Sequence, residues 1–470
     1  MKTSLYGKTN FSQPGVANAS VFSPRAILAG IGVKLRELKV FEPIAEQVKI
    51  AQKTVKFTPI QKLWHGFINL LCGAHGMVEI EQRFRNDPGL QQAFGQSGCA
   101  EQSVVQQTLD ACNANNVEQM HQAMDEIYRQ HSQGYRHDYS QQLQLLDVDM
   151  SGQPCGPKSA FATKGYFAGE RNRRGRQLGR VTASRYGEIV IDRLFDGKTQ
   201  LFGALQSLMV ATETTLKLQD DGAKRRRTIV RIDRGGGSLD DVNWLLQRGY
   251  LVHTKDCSTA RSQKLAQTVE QWVDDSRHEG RQVGWVQQEA SEYVCPVHRI
   301  AVRCRKNNGQ WGIGVLISTL SEQQVRELTH HPLEPSNPNA ALFAYVYFYD
   351  QRGGGVETAL KQDKQGLGIT KRNKKRFEAQ QMLVQLGALA HNVTLWAKGW
   401  LVPSTAKLRP LGVLRLVRDV FTTSGLLVFN PVGELVEILL NPSDAWAKRL
   451  AESLAVLLTP DHVAVNLGKT

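Results

Sequence analysis

Three carboxylates carry the clearest chemistry in this 470-residue chain: Asp149 closing "LDVD", Asp233 closing "IVRID", and Glu357 following "YDQRGGGV". Acids at strand ends or at a helix start meet at one edge of an α/β sheet without entering its core. Three hard oxygen donors in a basic chain suit divalent ions, magnesium with manganese as a substitute, which keep positions open for phosphate and water. Two such ions about 3.5–4 Å apart activate an attacking oxygen and stabilise a leaving one, which is phosphodiester chemistry. Taken singly, each acid reads more readily as a solvated turn residue. Asp147 stands two residues before Asp149, and strand residues two apart face the same side. Either is therefore open as the first ligand, with Asp149 preferred because it is nearer the expected strand end.

The cations follow the same line. Glu357, Lys361 and Lys364 share one helix face by their spacing, as a metal ligand with phosphate contacts beyond it or as an ordinary solvated charged face. Tyr349 and Arg352, just before an expected glycine turn, are placed to clamp a nucleotide base and its phosphate. Three basic runs, "ERNRRGRQLGR", "AKRRRTIVR" and "KRNKKR", flank the acids in sequence. Arg173, Arg174, Lys371 and Lys374 within them are expected to contact a DNA backbone, with strongly salt-dependent binding.

Composition agrees with a polyanionic partner. The net charge is +14 and the pI about 9.4, an excess that favours nucleic acid. No apolar run is long enough to span a bilayer, and the first twenty residues lack the apolar core of a signal peptide, so a cytoplasmic location is expected. Seven scattered cysteines do not look like a disulfide framework. Cys295, His298 and Cys304 offer three zinc-type ligands without a clear fourth, and read as ordinary residues around a strand.

The elements that must position these groups fall into five segments. Residues 1–140 read as helical, with a DNA-binding role expected. Residues 141–260 alternate strands and helices as the first part of a catalytic domain, with Ser238 capping one helix. Residues 261–348 open with a helix over "RSQKLAQTVEQWVDDSRH" and continue as a β-rich insertion ending in a strand, "ALFAYVYFY". Residues 349–398 form the second catalytic part. Residues 399–470 form a small C-terminal unit with a hairpin and an amphipathic helix.

Across about 145–400 the sequence resembles the bacterial insertion-sequence transposases of the DDE class. It does so through "LDVDMSG", "IVRIDRGGGSLDDVNWLLQRGY" and "YDQRGGGVETALKQDK", the last similar to a Tyr-Arg-Glu-Lys signature. The resemblance implies an α/β fold: a ribonuclease H-like mixed sheet with a β-rich insertion, plus a helical N-terminal domain and a small C-terminal unit. It implies that Asp149, Asp233 and Glu357 bind magnesium. It also implies an enzyme that binds terminal inverted repeats as a homodimer on double-stranded DNA, cleaves the transposon ends and joins them to target DNA. Trp285 or Trp311 then becomes a stacking surface for a flipped base. One departure stands out: four residues separate Arg352 from Glu357, one more than in the family signature, while six separate Glu357 from Lys364 as expected. Two rivals share the sequence features, a nuclease that cuts without joining and a catalytically silent DNA-binding derivative. A glycosidase using paired carboxylates leaves the basic runs without a purpose.

Overall fold

The computed structural model describes residues 5, 18–165, 167, 172–329, 337–368 and 374–468. The chain forms two compact units. One comprises Met1–Ser132, Gln153–Ala162 and Ala359–Thr470; the other comprises Gln133–Gly152 and Thr163–Thr358.

The first unit is mainly helical. Its helix Pro59–Leu71 begins with a capping box between Thr58 and Gln61 and a proline in the first turn, which satisfies backbone donors that a helix start leaves orphaned. That helix buries Trp64 and Phe67, stacked with ring centroids 5.2 Å apart. Helix Phe377–Leu401 is buried on nearly every side, as an apolar helix at the centre of a bundle must be. The expected C-terminal hairpin forms from Gly425–Phe429 and Leu435–Leu440. Strand Ala19–Ser23 pairs with its first arm and Ala464–Leu467 with its second. A single apolar core joins side chains from the amino-terminal helices, the long helix and the C-terminal elements. The five segments read from the sequence are thus gathered differently in space: the amino-terminal helices and the carboxy-terminal residues belong to one unit.

The second unit is α/β. Its central strands are β1 (Gln144–Pro154), β2 (Arg174–Ala183), β3 (Glu188–Asp196), β4 (Thr228–Ile232) and β5 (Leu251–Lys255). Helix α1 (Leu201–Leu216) precedes β4, and α2 (Leu239–Gln247), capped by Ser238, precedes β5. Next come α3 (Thr259–Ala266), β6 (Arg281–Trp285), β7 (His298–Arg305), β8 (Trp311–Ser318), α4 (Glu322–Leu328) and α5 (Ala340–Arg352). The sheet runs β3–β2–β1–β4–β5–β8–β7–β6. It is mixed: β1, β4 and β5 are parallel neighbours, whereas β2 with β3 and the strands from β5 to β6 are antiparallel. The strands of the insertion therefore extend the central sheet through the β5–β8 pairing.

Two local readings are corrected. "ALFAYVYFY" is helix α5, not a strand. Its aromatic residues suit a half-buried sheet surface, but the run has no alternation. Residues Ala340–Phe348 are buried throughout, and a continuous apolar run fits a buried helix as well as a strand. Tyr345 donates its hydroxyl to the Leu320 carbonyl at 2.6 Å and meets Trp285 edge-on, which fixes α5 against the sheet. The helix expected over "RSQKLAQTVEQWVDDSRH" is confined to α3, and Val273–Asp274 pairs as a short strand with β6.

Candidate active site

Strand register brings the first two acids together. Val148 of β1 stands opposite Ile232 of β4 in the parallel pair, and Asp149 and Asp233 are the next residues on each strand. They therefore emerge side by side at the carboxyl end of that pairing, where polar groups leave a parallel sheet. β1 itself continues to Pro154, so Asp149 marks the end of this pairing and not of the strand. Asp233 caps a short turn, accepting from the Gly235 N–H at 2.8 Å. Two residues on, a Cβ at Gly237 would lie 2.0 Å from the Lys255 carbonyl oxygen. Only glycine permits that approach of the loop to β5.

Asp147 has a different task. It is fully buried and accepts from both Arg231 Nε and Nη2, at 2.7 and 2.8 Å. Arg231 Nη1 donates to the Phe348 carbonyl at 2.7 Å, tying β1 and β4 to α5. Opposite Arg231 on β5 lies His253, wholly buried beside Phe348 and Tyr349. Burial first, and the Arg231 charge second, hold its imidazole down near pH 3, so it is neutral. Asp147, Arg231 and His253 thus form a buried polar line across three adjacent strands. The Asp147–Arg231 pair has excellent geometry and no access to solvent, which makes it structural. Sequence reading counted Arg231 only as the last residue of the basic run "AKRRRTIVR" and gave no role to His253.

The third acid arrives through an irregular helix. After α5 the expected glycine turn is absent: Gly353–Glu357 continue as a π-helical turn, and Thr358–Gly366 follow as α-helix. A π turn accommodates one inserted residue without breaking a helix. It returns Glu357 to the side of Arg352, whose Nη1 lies 3.2 Å from Glu357 Oε1. Arg352 Nη2 lies 2.9 Å from the Val148 carbonyl oxygen and 3.2 Å from Asp149 Oδ1. Arg352 thus bridges Asp149 and Glu357.

The charges are unequally balanced. Arg352 is only 2% exposed. Asp149 is 8% exposed, and its carboxyl is raised to about 6. Burial is the main cause; Arg352 and the Met150 N–H pull the other way, while Asp233 and Glu357 push it further up. Burial therefore outweighs the Arg352 guanidinium at Asp149. Tyr349 is half-buried, and burial pushes its hydroxyl up to about 12.

The remaining predicted contacts are dispersed. Arg173 and Arg174 are exposed at the start of β2 in the α/β unit. In the other unit Lys361 is exposed and Lys364 half-buried, and Lys374 bonds Gln106. Lys371 lies outside the described residues. The buried Arg352, with its contacts to protein oxygens, is not displayed as the phosphate clamp expected from its position before a turn. Trp285 packs against His298 and Tyr345. Trp311 carries Arg303 over its ring at 4.6 Å. Cys295 and Cys304 are free thiols; among the described residues, no three His, Cys, Asp or Glu side chains form a ready-made metal cluster.

That last observation bears on divalent ions as well. The donor set at Asp149, Asp233 and Glu357 suits a hard cation, being all carboxylate. Glu357 is the most exposed of the three, with its side chain 59% exposed.

No family model matches the chain, and no curated protein is similar to it in sequence. Among solved structures it is similar to a piggyBac transposase in a synaptic complex with hairpin DNA, at 9% identity and a TM-score of 0.44, over 87% of this chain and 84% of that one.

Proposed function

We propose that this protein is a DDE transposase of the insertion-sequence type, built on a ribonuclease H-like core. The observation that carries the reading is the register that sets Asp149 beside Asp233 at the carboxyl end of the β1–β4 pairing, with the buried Arg352 3.2 Å from both Asp149 and Glu357. The mixed strand order and the net charge of +14 support it.

In this reading Asp149, Asp233 and Glu357 hold magnesium, with manganese as a substitute. When bound, such ions make a water or a 3′ hydroxyl a better nucleophile and stabilise the departing oxygen. The chain's own contribution is placement. Strand register holds Asp149 and Asp233 side by side, the turn capped by Asp233 fixes its carboxylate, and the π turn delivers Glu357. The Asp147–Arg231 pair ties α5 to the strands beneath. Arg173, Arg174, Lys361, Lys364, Lys371 and Lys374 contact the DNA backbone, and Tyr349 stacks near the scissile position. The substrate is double-stranded DNA bearing the element's terminal repeats. A homodimer holds both ends, and the protein acts in the cytoplasm on the nucleoid.

Cleavage of a labelled duplex carrying the element's ends, followed by strand transfer to a plasmid, tests this. Magnesium-dependent cutting and joining that Asp233→Ala abolishes is the expected result. Cutting without joining identifies a nuclease of the same fold. The bridging of Asp149 and Glu357 by Arg352 favours a second reading, a catalytically silent DNA-binding derivative. That reading predicts tight end binding with neither cutting nor joining.

A further inference from the structure

Two very different arginines meet carboxylates here, Arg231 at Asp147 and Arg352 at Asp149 and Glu357. Arg231 grips Asp147 through two bonds at 2.7 and 2.8 Å, with both partners out of solvent. Those lengths are typical of a strong charge-assisted fork. Arg352 meets Asp149 and Glu357 at 3.2 Å each, longer than such bonds usually are. Its firmest bond is to the neutral Val148 carbonyl, at 2.9 Å, and its Nε has no hydrogen-bond partner among the described residues. The guanidinium is thus anchored to backbone and shared loosely between carboxylates, and Glu357 is largely in solvent.

We propose that Arg352 is the internal counterion of these carboxylates and competes with a divalent cation for Asp149 and Glu357, so that its charge sets how tightly the site binds one. The inference rests on the reading of the three acids as metal ligands. A cation entering among Asp149, Asp233 and Glu357 meets the buried guanidinium as a like charge. The exposed Glu357 is the arm that can change partner, whereas the Val148 anchor keeps Arg352 from leaving. The π turn matters here because it alone places Glu357 within reach of Arg352. Arg352 is a positioning residue whose second effect is to weaken the ion, and its removal exposes both effects at once.

Calorimetric titration of the full-length protein with MnCl2, without DNA, tests the competition in wild type, Arg352→Met and Arg352→Lys. Arg352→Met is expected to bind Mn2+ at least about tenfold more tightly. It should also melt lower than wild type in EDTA, and gain more in melting temperature on adding Mn2+. Arg352→Lys keeps a buried charge but offers a single ammonium in place of a fork, and its affinity should fall between the two. This variant decides the matter if Arg352→Met does not fold. Binding of Mn2+ by wild type that both variants leave unchanged or weaken would overturn the inference and leave the metal reading intact. Failure of all three proteins to bind Mn2+ would remove the metal reading, and the inference with it.

Discussion

Arg352 and Glu357 lie 3.2 Å apart across a spacing of five residues, a contact that a regular α-helix offers at three or four. The π turn at Gly353–Glu357 makes up the difference. Its three glycines are not equivalent. Among the described residues a Cβ at Gly354 would meet nothing within 4 Å, whereas one at Gly355 would lie 3.2 Å from Asp147 Oδ2. Gly354→Ala should therefore stabilise the protein by roughly 0.5–1 kcal/mol, by removing backbone freedom from the unfolded chain. Gly355→Ala should give no gain or a loss, because it crowds the Asp147–Arg231 pair. Paired thermal melts distinguish the two.

Glu357→Gln should remove the third carboxylate without disturbing the core, since its side chain is largely exposed. Residues one shell outside a metal already cost 10–100-fold when lost, so a ligand should cost roughly a hundredfold or more. Cleavage should fall by at least that factor while end binding, measured by gel shift, stays at the wild-type level. Cleavage at the wild-type rate would refute the catalytic assignment.

The two aspartates of "LDVDM" should respond in opposite ways. Asp147→Asn breaks a fully buried ion pair and strands Arg231, a loss of about 3–5 kcal/mol that a large drop in melting temperature would report. Asp149→Asn should leave a folded protein that binds DNA but does not cut it. A stable, active Asp147→Asn variant would reverse the assignment.

Acid should stabilise the protein locally. The Asp149 carboxyl is raised to about 6 in the folded state, above the roughly 3.9 of an unfolded chain. Between those values the folded form holds more protons, so this contribution is fully present below the unfolded value and is lost as pH rises through about 6. It amounts to on the order of 2–3 kcal/mol. Asp149→Asn in EDTA should therefore melt above wild type at pH 8, with the difference shrinking toward pH 4. An unchanged difference across that range would show that Asp149 is not the group responsible.

DNA affinity should fall steeply with salt. If six to ten phosphates are contacted, binding weakens by roughly 10³–10⁵ between 50 and 200 mM salt. Double replacement of Arg173 and Arg174 by Ala should lessen that slope, and a slope equal to wild type would remove them from the interface.

Much of the α/β unit was legible because its signals are local. Strand runs leading into Asp149 and Asp233, a Ser238 cap and a basic excess are written in short stretches of chain, and the mixed sheet follows from their alternation, although the first strand runs on past Asp149 to Pro154. The C-terminal hairpin was readable for the same reason. What the sequence left open depends on who covers whom. "ALFAYVYFY" became a helix because it is enclosed on nearly all sides, a fact that no propensity contains. Asp147 and Asp149 are identical in type and face, and only the neighbouring strand separates them: Arg231 stands beside the first, while the pairing ends before the second. The glycines before Glu357 read as a turn, yet the helix keeps its course through a π turn. The grouping of amino-terminal helices with carboxy-terminal elements likewise comes from a shared apolar core, because burial joins residues without regard to their distance along the chain.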